Sequence, residues 1–274
     1  MWARSSTAEL CLVLAAVLGA GGCTRTGGGD GSGDGARRGD PLRVAAASDL
    51  SIAFEDIKRD FESATGKKVE LSFGSTGLFA KQIAEGAPVD VFAAANISFV
   101  DDVVRAGACD EASKALYARG RLVVWTKDPS MLPKQLTDLA DPRYGKVAIA
   151  NPEHAPYGRA AREALNNSGV WSSVQPRLVH GENVLQTLVY ARTGNADAAI
   201  VALSLAVTSE GAWLPVPPEL HAPLDQALVV CHGGTRGAKI NEARAFVDFV
   251  GSEKGRAIMR RYGFLLPGET LSAK

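Results

Sequence analysis

The amino-acid sequence predicts an α/β protein whose sheets are mainly parallel, and two observations support this prediction. From residue 42 onward, short apolar runs alternate with longer amphipathic stretches, which is the pattern of strands joined by crossover helices. The 274 residues are 46% hydrophobic and carry zero formal net charge, as is typical of a globular protein with a sizeable core. Because no helix-sized run of lysine and arginine occurs, we do not expect nucleic-acid binding.

The apolar runs predict the strands, and the amphipathic stretches between them predict the helices. The predicted strands cover residues 42–46, 68–73, 89–94, 121–126, 146–150, 177–180, 198–201, 213–216 and 226–230. The predicted helices cover residues 51–64, 78–85, 98–105, 158–166, 184–193, 240–251 and 253–261. The first helix places Phe54, Ile57 and Phe61 on one face and charged residues on the other, so we expect that face to pack on a sheet.

The N-terminal segment differs from the rest of the chain. Arg4 lies in a short polar start, residues 10–20 form an apolar run too short to span a bilayer, and small residues precede Cys23. We interpret residues 1–22 as a signal peptide. The residues before Cys23 resemble a bacterial lipobox, which makes Cys23 the expected lipidation site; the alternative is a plain secretory signal with a chance cysteine. Residues 23–41 are then the lipidated cysteine and a flexible tether.

Two cysteines remain in the body of the protein, Cys109 and Cys231. They could pair in an oxidising compartment. However, Cys231 ends the apolar run that begins at Ala227, which is typical of a buried strand residue. We therefore expect the two cysteines not to form a disulfide.

Four predicted strand-to-helix junctions share small residues, hydroxyl groups or free backbone N–H groups. They contain Ser48, Ser75 with Thr76, Tyr157, and Val184, and none has lysine or arginine at its tip. Helix starts leave backbone N–H groups without partners and carry a partial positive charge, so they bind anions without a cationic side chain. Such junctions gather at the carboxyl ends of parallel strands. The four together predict a neutral cage for an oxyanion.

A cage made only of donors excludes a protonated anion, since the O–H of that anion would find no acceptor. This chemistry favours fully ionised molybdate, tungstate or sulfate over hydrogen phosphate. The alternative at any single junction is an ordinary helix cap, because serine and threonine are preferred caps in every α/β protein. Only the set of four favours an anion site.

A series of short motifs occurs in order between residues 42 and 264. They read RVAAASDL from Arg43, LSFGSTG from Leu71, EGAPVDVF from Glu85, NPEHAP from Asn151, GNAD from Gly194 and RYGF from Arg261. Together they resemble the periplasmic molybdate-binding proteins of ABC transporters. The resemblance implies a two-lobed type II periplasmic-binding fold, in which each lobe is a mixed, mainly parallel sheet flanked by helices and the lobes close on the ion.

The resemblance also implies which residues hold the oxyanion. It assigns hydroxyl ligands to Ser48 and Thr76, with Ser75 as the neighbouring alternative, and backbone N–H donors to Tyr157 and Val184. No side chain would coordinate the metal atom itself, because molybdenum would arrive as molybdate.

One position departs from the family pattern. Some members add a tyrosine hydroxyl in the strand after the GNAD motif, where this chain has Ala202. One donor is therefore missing or is supplied by another group, for which Ser204 is the candidate. The departure leaves the affinity and the selectivity for molybdate over sulfate open.

The resemblance places the lobe boundaries in the predicted strands 121–126 and 226–230. Lobe I then comprises residues 42–123 and 228–274, and lobe II comprises residues 124–227. The last two helices would return to the first lobe.

The leading function is an exported, lipid-anchored, monomeric binding protein that delivers molybdate or tungstate to the membrane permease of an ABC transporter. It would act in the periplasm or at the outer face of the cell membrane, without a cofactor. The alternatives are a binding protein for sulfate or another oxyanion, an enzyme acting on a small anionic metabolite, and a surface sensor or adhesin. No histidine pair has metal-ligand spacing, and no serine has a neighbouring base, so we do not expect an enzyme.

Overall fold

The computed structural model describes residues 40–233 and 239–269, which form two five-stranded sheets flanked by helices. The strands are β1 (Leu42–Ala47), β2 (Val69–Gly74), β3 (Val91–Ala94), β4 (Ala115–Gly120), β5 (Leu122–Thr126), β6 (Val147–Ala150), β7 (Leu178–Gly181), β8 (Ala198–Ala202), β9 (Ala212–Pro215) and β10 (Leu224–Val230). The predicted signal peptide, Cys23 and most of the predicted tether lie outside the described residues.

Nine α-helices occur within the described residues. They are α1 (Ala53–Thr65), α2 (Thr76–Ala84), α3 (Ile97–Arg105), α4 (Pro156–Asn167), α5 (Trp171–Val174), α6 (Val184–Arg192), α7 (Leu203–Ala206), α8 (Ile240–Gly251) and α9 (Glu253–Arg261). In the same part of the chain, no helix has the length and apolar character required to cross a membrane.

The first sheet has the strand order β2-β1-β3-β10-β4. Strand β1 pairs in parallel with β2 and β3, whereas β10 is antiparallel to both β3 and β4. Alternate residues of β3 enter two separate clusters: Val91 and Ala93 pack with α1 and α8, and Phe92 and Ala94 pack with α3. Because both faces of the sheet are covered, its central strands are apolar at nearly every position.

The second sheet repeats this arrangement, with the strand order β7-β6-β8-β5-β9. Strand β6 pairs in parallel with β7 and β8, and β5 is antiparallel to β8 and β9. We call the first sheet with α1–α3, α8 and α9 the first lobe, and the second sheet with α4–α7 the second lobe. The predicted α/β fold with two lobes is confirmed.

The two lobe boundaries differ from the predicted ones. The chain passes between the lobes at Arg121, between β4 and β5, and returns between Pro215 of β9 and Leu224 of β10. The predicted boundaries, at residues 123/124 and 227/228, fall inside β5 and β10. The sequence reading missed the edge strand β4, in which Leu116 is 52% exposed and Arg119 is charged, and so assigned β5 to the crossing.

Aromatic rings fix helix α8 to the first lobe. Phe61 of α1 packs edge-on against Phe246 and Phe249 of α8, with ring centroids 5.3 and 5.6 Å apart. Phe54 packs against Phe246 in the same way. The predicted buried face of α1 is confirmed, since Phe54, Ile57 and Phe61 are all buried. Edge-to-face pairs of this kind stabilise a core beyond the apolar area that they bury.

The two cysteines form a disulfide between Cys109 and Cys231, so the prediction that they stay apart is wrong. Cys231 is indeed buried at the end of β10, as its apolar neighbours indicated. The segment after α3, however, lies antiparallel to it and forms an isolated bridge with Cys109 opposite Cys231. This pairing joins residues 122 positions apart, which a local pattern in the sequence does not reveal.

Candidate functional site

A small cavity lies where the carboxyl ends of strands from both lobes meet the helices that follow them. About 190 Å³ in and around it is free of protein atoms, and part of this space is open to solvent. It is lined by Ala47, Ser48, Asp49, Gly74, Ser75, Thr76, Ala95, Ala155, Pro156, Tyr157, Asn183 and Val184. All four predicted junctions therefore meet in one place, and five of the six predicted binding residues line the cavity.

The size and lining of the cavity restrict what it can hold. Counted as the space open to the centre of a water-sized sphere, its volume is about 10 Å³, far below the roughly 300–1,000 Å³ of pockets for drug-sized organic ligands. Among the residues that the structure describes, no lysine, arginine or histidine lines it. Within the described residues, no cluster of three or more histidine, cysteine, aspartate or glutamate side chains could hold a metal cation. The cavity therefore suits a small ion that is bound by neutral donors.

Ser48 follows β1 directly and is buried. Its Oγ accepts a hydrogen bond from the backbone N–H of Leu185, in the second lobe, at 3.4 Å. An acceptor role leaves the hydroxyl proton of Ser48 available, since a serine hydroxyl has one proton and two lone pairs. Ser48 can therefore donate to a ligand.

The adjacent hydroxyl residues Ser75 and Thr76 differ in their partners. Thr76 Oγ1 accepts from the backbone N–H of Ala95 at 3.2 Å, which leaves its proton free to donate. The Ser75 hydroxyl instead faces His154 of the second lobe, 2.9 Å from its carbonyl oxygen and 2.8 Å from its Nδ1. The geometry therefore favours Thr76 over Ser75 as the donor to a ligand.

The second lobe contributes backbone N–H groups. Tyr157 lies in the first turn of α4 and Val184 is the first residue of α6. At these positions an N–H group has no acceptor within its own helix, and neither N–H has another acceptor among residues 40–233 and 239–269. Both groups can therefore donate to a ligand, assisted by the positive ends of their helix dipoles.

Helix capping does not account for the hydroxyl groups at these junctions. The short helix at Ser48, helix α2 and helix α4 begin without a side-chain cap, although Ser75 occupies the cap position of α2. Only Asn183 caps its own helix, by accepting from Gln186 N at 3.0 Å. The ordinary explanation by capping therefore holds for one junction of the four.

Ser204, the sixth predicted residue, does not line the cavity. Its hydroxyl donates to the backbone carbonyl of Asp49 at 2.7 Å, so its single proton is already used. Ser204 therefore does not supply the donor that is missing at Ala202, and that prediction is corrected. Its position supports the turn that carries Ser48 and Asp49.

Asp49 is the cavity residue that sequence reasoning missed. Its side chain is buried, and its Oδ2 accepts from Gln226 Nε2 at 2.6 Å and from Tyr157 OH at 3.0 Å. Burial raises the pKa of Asp49 to about 6, although these two hydrogen bonds lower it. The signal was visible as an acid directly after Ser48, at a junction otherwise composed of small and neutral residues.

Asp49 belongs to a buried polar chain that connects the lobes. Tyr117 OH donates a hydrogen bond to Gln226 Oε1 at 2.7 Å, and Gln226 Nε2 donates one to Asp49. Asp49 also accepts a hydrogen bond from Tyr157 OH of the second lobe. Burial raises the pKa of both tyrosines well above the ordinary value, so both remain neutral donors. Only Oδ2 of Asp49 is bonded within this network, since its buried Oδ1 has no hydrogen-bond partner among the described residues.

Comparisons with known proteins add an independent observation. Residues 42–265 match the family of bacterial extracellular solute-binding proteins. Over 228 residues the chain is 35% identical to the molybdate-binding protein ModA of Rhodobacter capsulatus, covering 81% of this chain and 87% of the relative. Its structure resembles the periplasmic molybdate-binding protein of Azotobacter vinelandii, with a TM-score of 0.77 and 30% identity over 82% of this chain and 99% of the other.

A more distant similarity concerns the fold alone. The sulfate-binding protein SubI from Mycobacterium tuberculosis superposes with a TM-score of 0.70 at 15% identity, covering 83% of this chain and 87% of that protein. The two-lobed architecture is thus shared by proteins whose names indicate different oxyanions.

Proposed function

Because the chain belongs to the bacterial extracellular solute-binding protein family, we propose that it captures molybdate or tungstate between its lobes and delivers the ion to an ABC-transporter permease. The observation that carries this proposal is the cavity itself. It is lined by Ser48 and Thr76, which carry hydroxyl groups, and by Tyr157 and Val184, which have free N–H groups; no cationic side chain of residues 40–233 or 239–269 lines it. The named relatives bind molybdate, which agrees with this chemistry.

The donor set explains why a fully ionised oxyanion is the preferred ligand. Every oxygen of such an ion accepts hydrogen bonds, and each charge-assisted bond contributes about 1.5–3 kcal/mol. A protonated anion would direct its own O–H at groups that only donate. Neutral donors also let the ion leave when the lobes part, because no opposite charge remains bound to it.

Lobe closure follows from the distribution of the donors. Two hydroxyls lie in the first lobe and two N–H groups lie in the second, so an ion that contacts all four is bound fully only when the lobes are closed. Several direct contacts already cross between the lobes, including Gly77 N to His154 O at 2.9 Å. A bound ion would add to these contacts and favour the closed state.

The wider setting of the protein follows from this function. We propose that residues 1–22 direct export, that Cys23 carries the lipid anchor, and that the monomeric body acts in the periplasm or at the outer face of the cell membrane. The permease is the expected protein partner. Capture and release of an oxyanion require neither a cofactor nor a catalytic step.

Sulfate is the second candidate ligand, and Ala202 is the observation that favours it. Ala202 is fully buried and ends β8, so it offers no side-chain donor. Without a further donor, the remaining contacts distinguish two tetrahedral dianions only by size. A sulfate-binding protein would use the same cavity and the same closure.

Thermal unfolding tests the proposal directly. The protein is melted alone and with molybdate, tungstate, sulfate or phosphate, each at a series of concentrations. A ligand at about a hundred times its Kd adds about 2.7 kcal/mol to the free energy of unfolding. We expect the largest shift with molybdate or tungstate and none with phosphate. A shift with sulfate alone would move the assignment to the second candidate, and no shift with any of the four ions would refute an oxyanion-binding function.

A further inference from the structure

Asp49 lines a cavity that should carry no negative charge if it binds an anion. Asp49 lines the cavity beside Ser48 and is 1% exposed. Its Oδ1 is buried and has no hydrogen-bond partner among the described residues. An ionised Asp49 would therefore place an unneutralised charge next to a doubly charged ligand.

In the part of the chain that the structure describes, no cation near Asp49 offsets this charge. The carboxyl group accepts hydrogen bonds from Tyr157 of α4 and from Gln226 of β10. Tyr117 of β4 donates a hydrogen bond to Gln226 in turn. Ser204 of α7 contacts only the backbone of Asp49. Among residues 40–233 and 239–269, no lysine, arginine or histidine pairs with the carboxylate.

We propose that Asp49 is a specificity-determining residue that holds a proton whenever the anion is bound, so that each captured dianion is accompanied by one proton from solution. The proton comes from water and attaches to the carboxylate, which then carries no charge and gains one O–H donor. This inference rests on the proposed function, because it requires a tetrahedral anion in the cavity.

The direction of the effect follows from linkage. Burial raises the pKa of Asp49 to about 6 in the free protein, so above pH 6 the free carboxyl group is mostly ionised. A bound dianion disfavours the ionised form further and raises the pKa again. Binding then takes up a proton, and the affinity falls as the pH rises above 6. Below pH 6 the group is already protonated and the affinity stays constant.

The first experiment measures the Kd for molybdate and for sulfate by calorimetry between pH 6.0 and 8.5. We expect the Kd of each ion that binds to rise about tenfold per pH unit above pH 6.5. At pH 8, measurements in buffers of different ionisation enthalpy should show about one proton taken up per ion bound. A Kd that does not change with pH, with no proton uptake, would refute the proposal.

Asp49→Asn is the decisive variant, because the amide matches the shape of the protonated acid and keeps an acceptor for Tyr157 and Gln226. We expect a Kd that is independent of pH and, at pH 8, roughly 100-fold lower than that of the unchanged protein. A merely structural role of Asp49 would weaken binding at every pH, which contradicts the proposal. If the variant does not fold, proton uptake by the unchanged protein decides the question.

His154→Gln is the matched control, since His154 is a titratable residue in contact with the cavity residue Ser75. The pH dependence should remain in this variant. If the pH dependence of the Kd were lost in His154→Gln and kept in Asp49→Asn, the proton would be taken up by His154, which contradicts the proposal.

Phosphate tests the opposite arrangement, in which an ionised Asp49 accepts a hydrogen bond from the O–H group of the ligand. Hydrogen phosphate would then bind, and Asp49→Asn would abolish that binding; this result would overturn the proposal. Failure of every ion to bind at every pH would instead refute the proposed function. Binding without proton uptake would refute only the role of Asp49.

Discussion

The two lobes supply different kinds of donor to the same cavity. The first lobe offers the side-chain hydroxyls of Ser48 and Thr76, whereas the second offers the backbone N–H groups of Tyr157 and Val184. A side-chain donor is lost in one substitution, but a backbone donor survives any substitution except proline. The first half of the site therefore depends on residue identity, and the second half depends on where the helices begin.

The largest effect is expected when both side-chain donors are removed. Ser48→Ala combined with Thr76→Ala eliminates the contribution of the first lobe and leaves the second lobe unchanged. Two charge-assisted bonds contribute about 3–6 kcal/mol together, so the Kd for molybdate should rise by roughly 10²- to 10⁴-fold. Calorimetric titration measures this change, and melting without ligand verifies that the variant folds.

Ser75→Ala is the matched control for this prediction, because Ser75 lies next to Thr76 but directs its hydroxyl to His154. Loss of the Ser75 hydroxyl should weaken the binding of molybdate by about 1 kcal/mol or less, which is the contribution of one neutral hydrogen bond. A cost equal to that of Thr76→Ala alone would show that Ser75 binds the ion and that the distinction between the two hydroxyls is wrong.

The two lobes also differ in how they are stabilised, because only the first contains a disulfide. Both cysteines of the body lie in the first lobe, at Cys109 and Cys231, and residues 122–215 contain no cysteine. Replacing both cysteines with alanine should lower the free energy of unfolding by roughly 2–5 kcal/mol, as measured by urea denaturation. The Kd for molybdate should not change, since neither cysteine lines the cavity. An unchanged urea midpoint would contradict the prediction.

Gly77→Ala tests the contact between the lobes. A Cβ atom at Gly77 would lie 2.5 Å from the backbone oxygen of His154 in the other lobe. The clash exists only when the lobes are closed, so it should weaken binding by about 1–3 kcal/mol while each lobe stays folded. Gly251→Ala is the control, since no atom lies within 4 Å of its added Cβ; its Kd should be that of the unchanged protein. Equal affinities for the two variants would argue against closure.

Much of the fold could be predicted from the sequence, because apolar residues recur at regular spacing in the long helices and strands. Helices α8 and α9 have the predicted bounds of residues 240–251 and 253–261. The cavity could be anticipated for a similar reason. Strands that run in parallel bring their carboxyl ends to one edge of a sheet, so the junctions at Ser48, Thr76, Tyr157 and Val184 had to lie near one another within each lobe.

The rest depended on contacts between segments that are distant in the sequence. Strand β4 is an edge strand with an exposed leucine and an arginine, so its pattern does not resemble a core strand. The partner of Cys231 lies 122 residues away. The role of Asp49 depends on its hydrogen bonds with Gln226, in another strand, and with Tyr157, in the other lobe. The spacing of apolar residues within one segment does not predict such long-range contacts.

Val184→Pro tests the second half of the site by removing a backbone donor. Val184 is the first residue of α6, and Asn183 before it has an extended conformation with φ −143° and ψ 174°. Proline is tolerated at the first helical position, and an extended residue before it is compatible. The variant should therefore keep α6 but lose one N–H, and the Kd for molybdate should rise by about 10- to 150-fold.

The smallest effect is expected for Val184→Ala, which removes the buried side chain and keeps the N–H. The lost packing should lower the free energy of unfolding by roughly 1–3 kcal/mol, as measured by melting without ligand. The Kd for molybdate should stay within about twofold, because the donor is part of the backbone. If Val184→Ala weakened binding as much as Val184→Pro, the side chain would be the group that matters. The second lobe would then depend on residue identity as the first does, and the contrast between the two lobes would be lost.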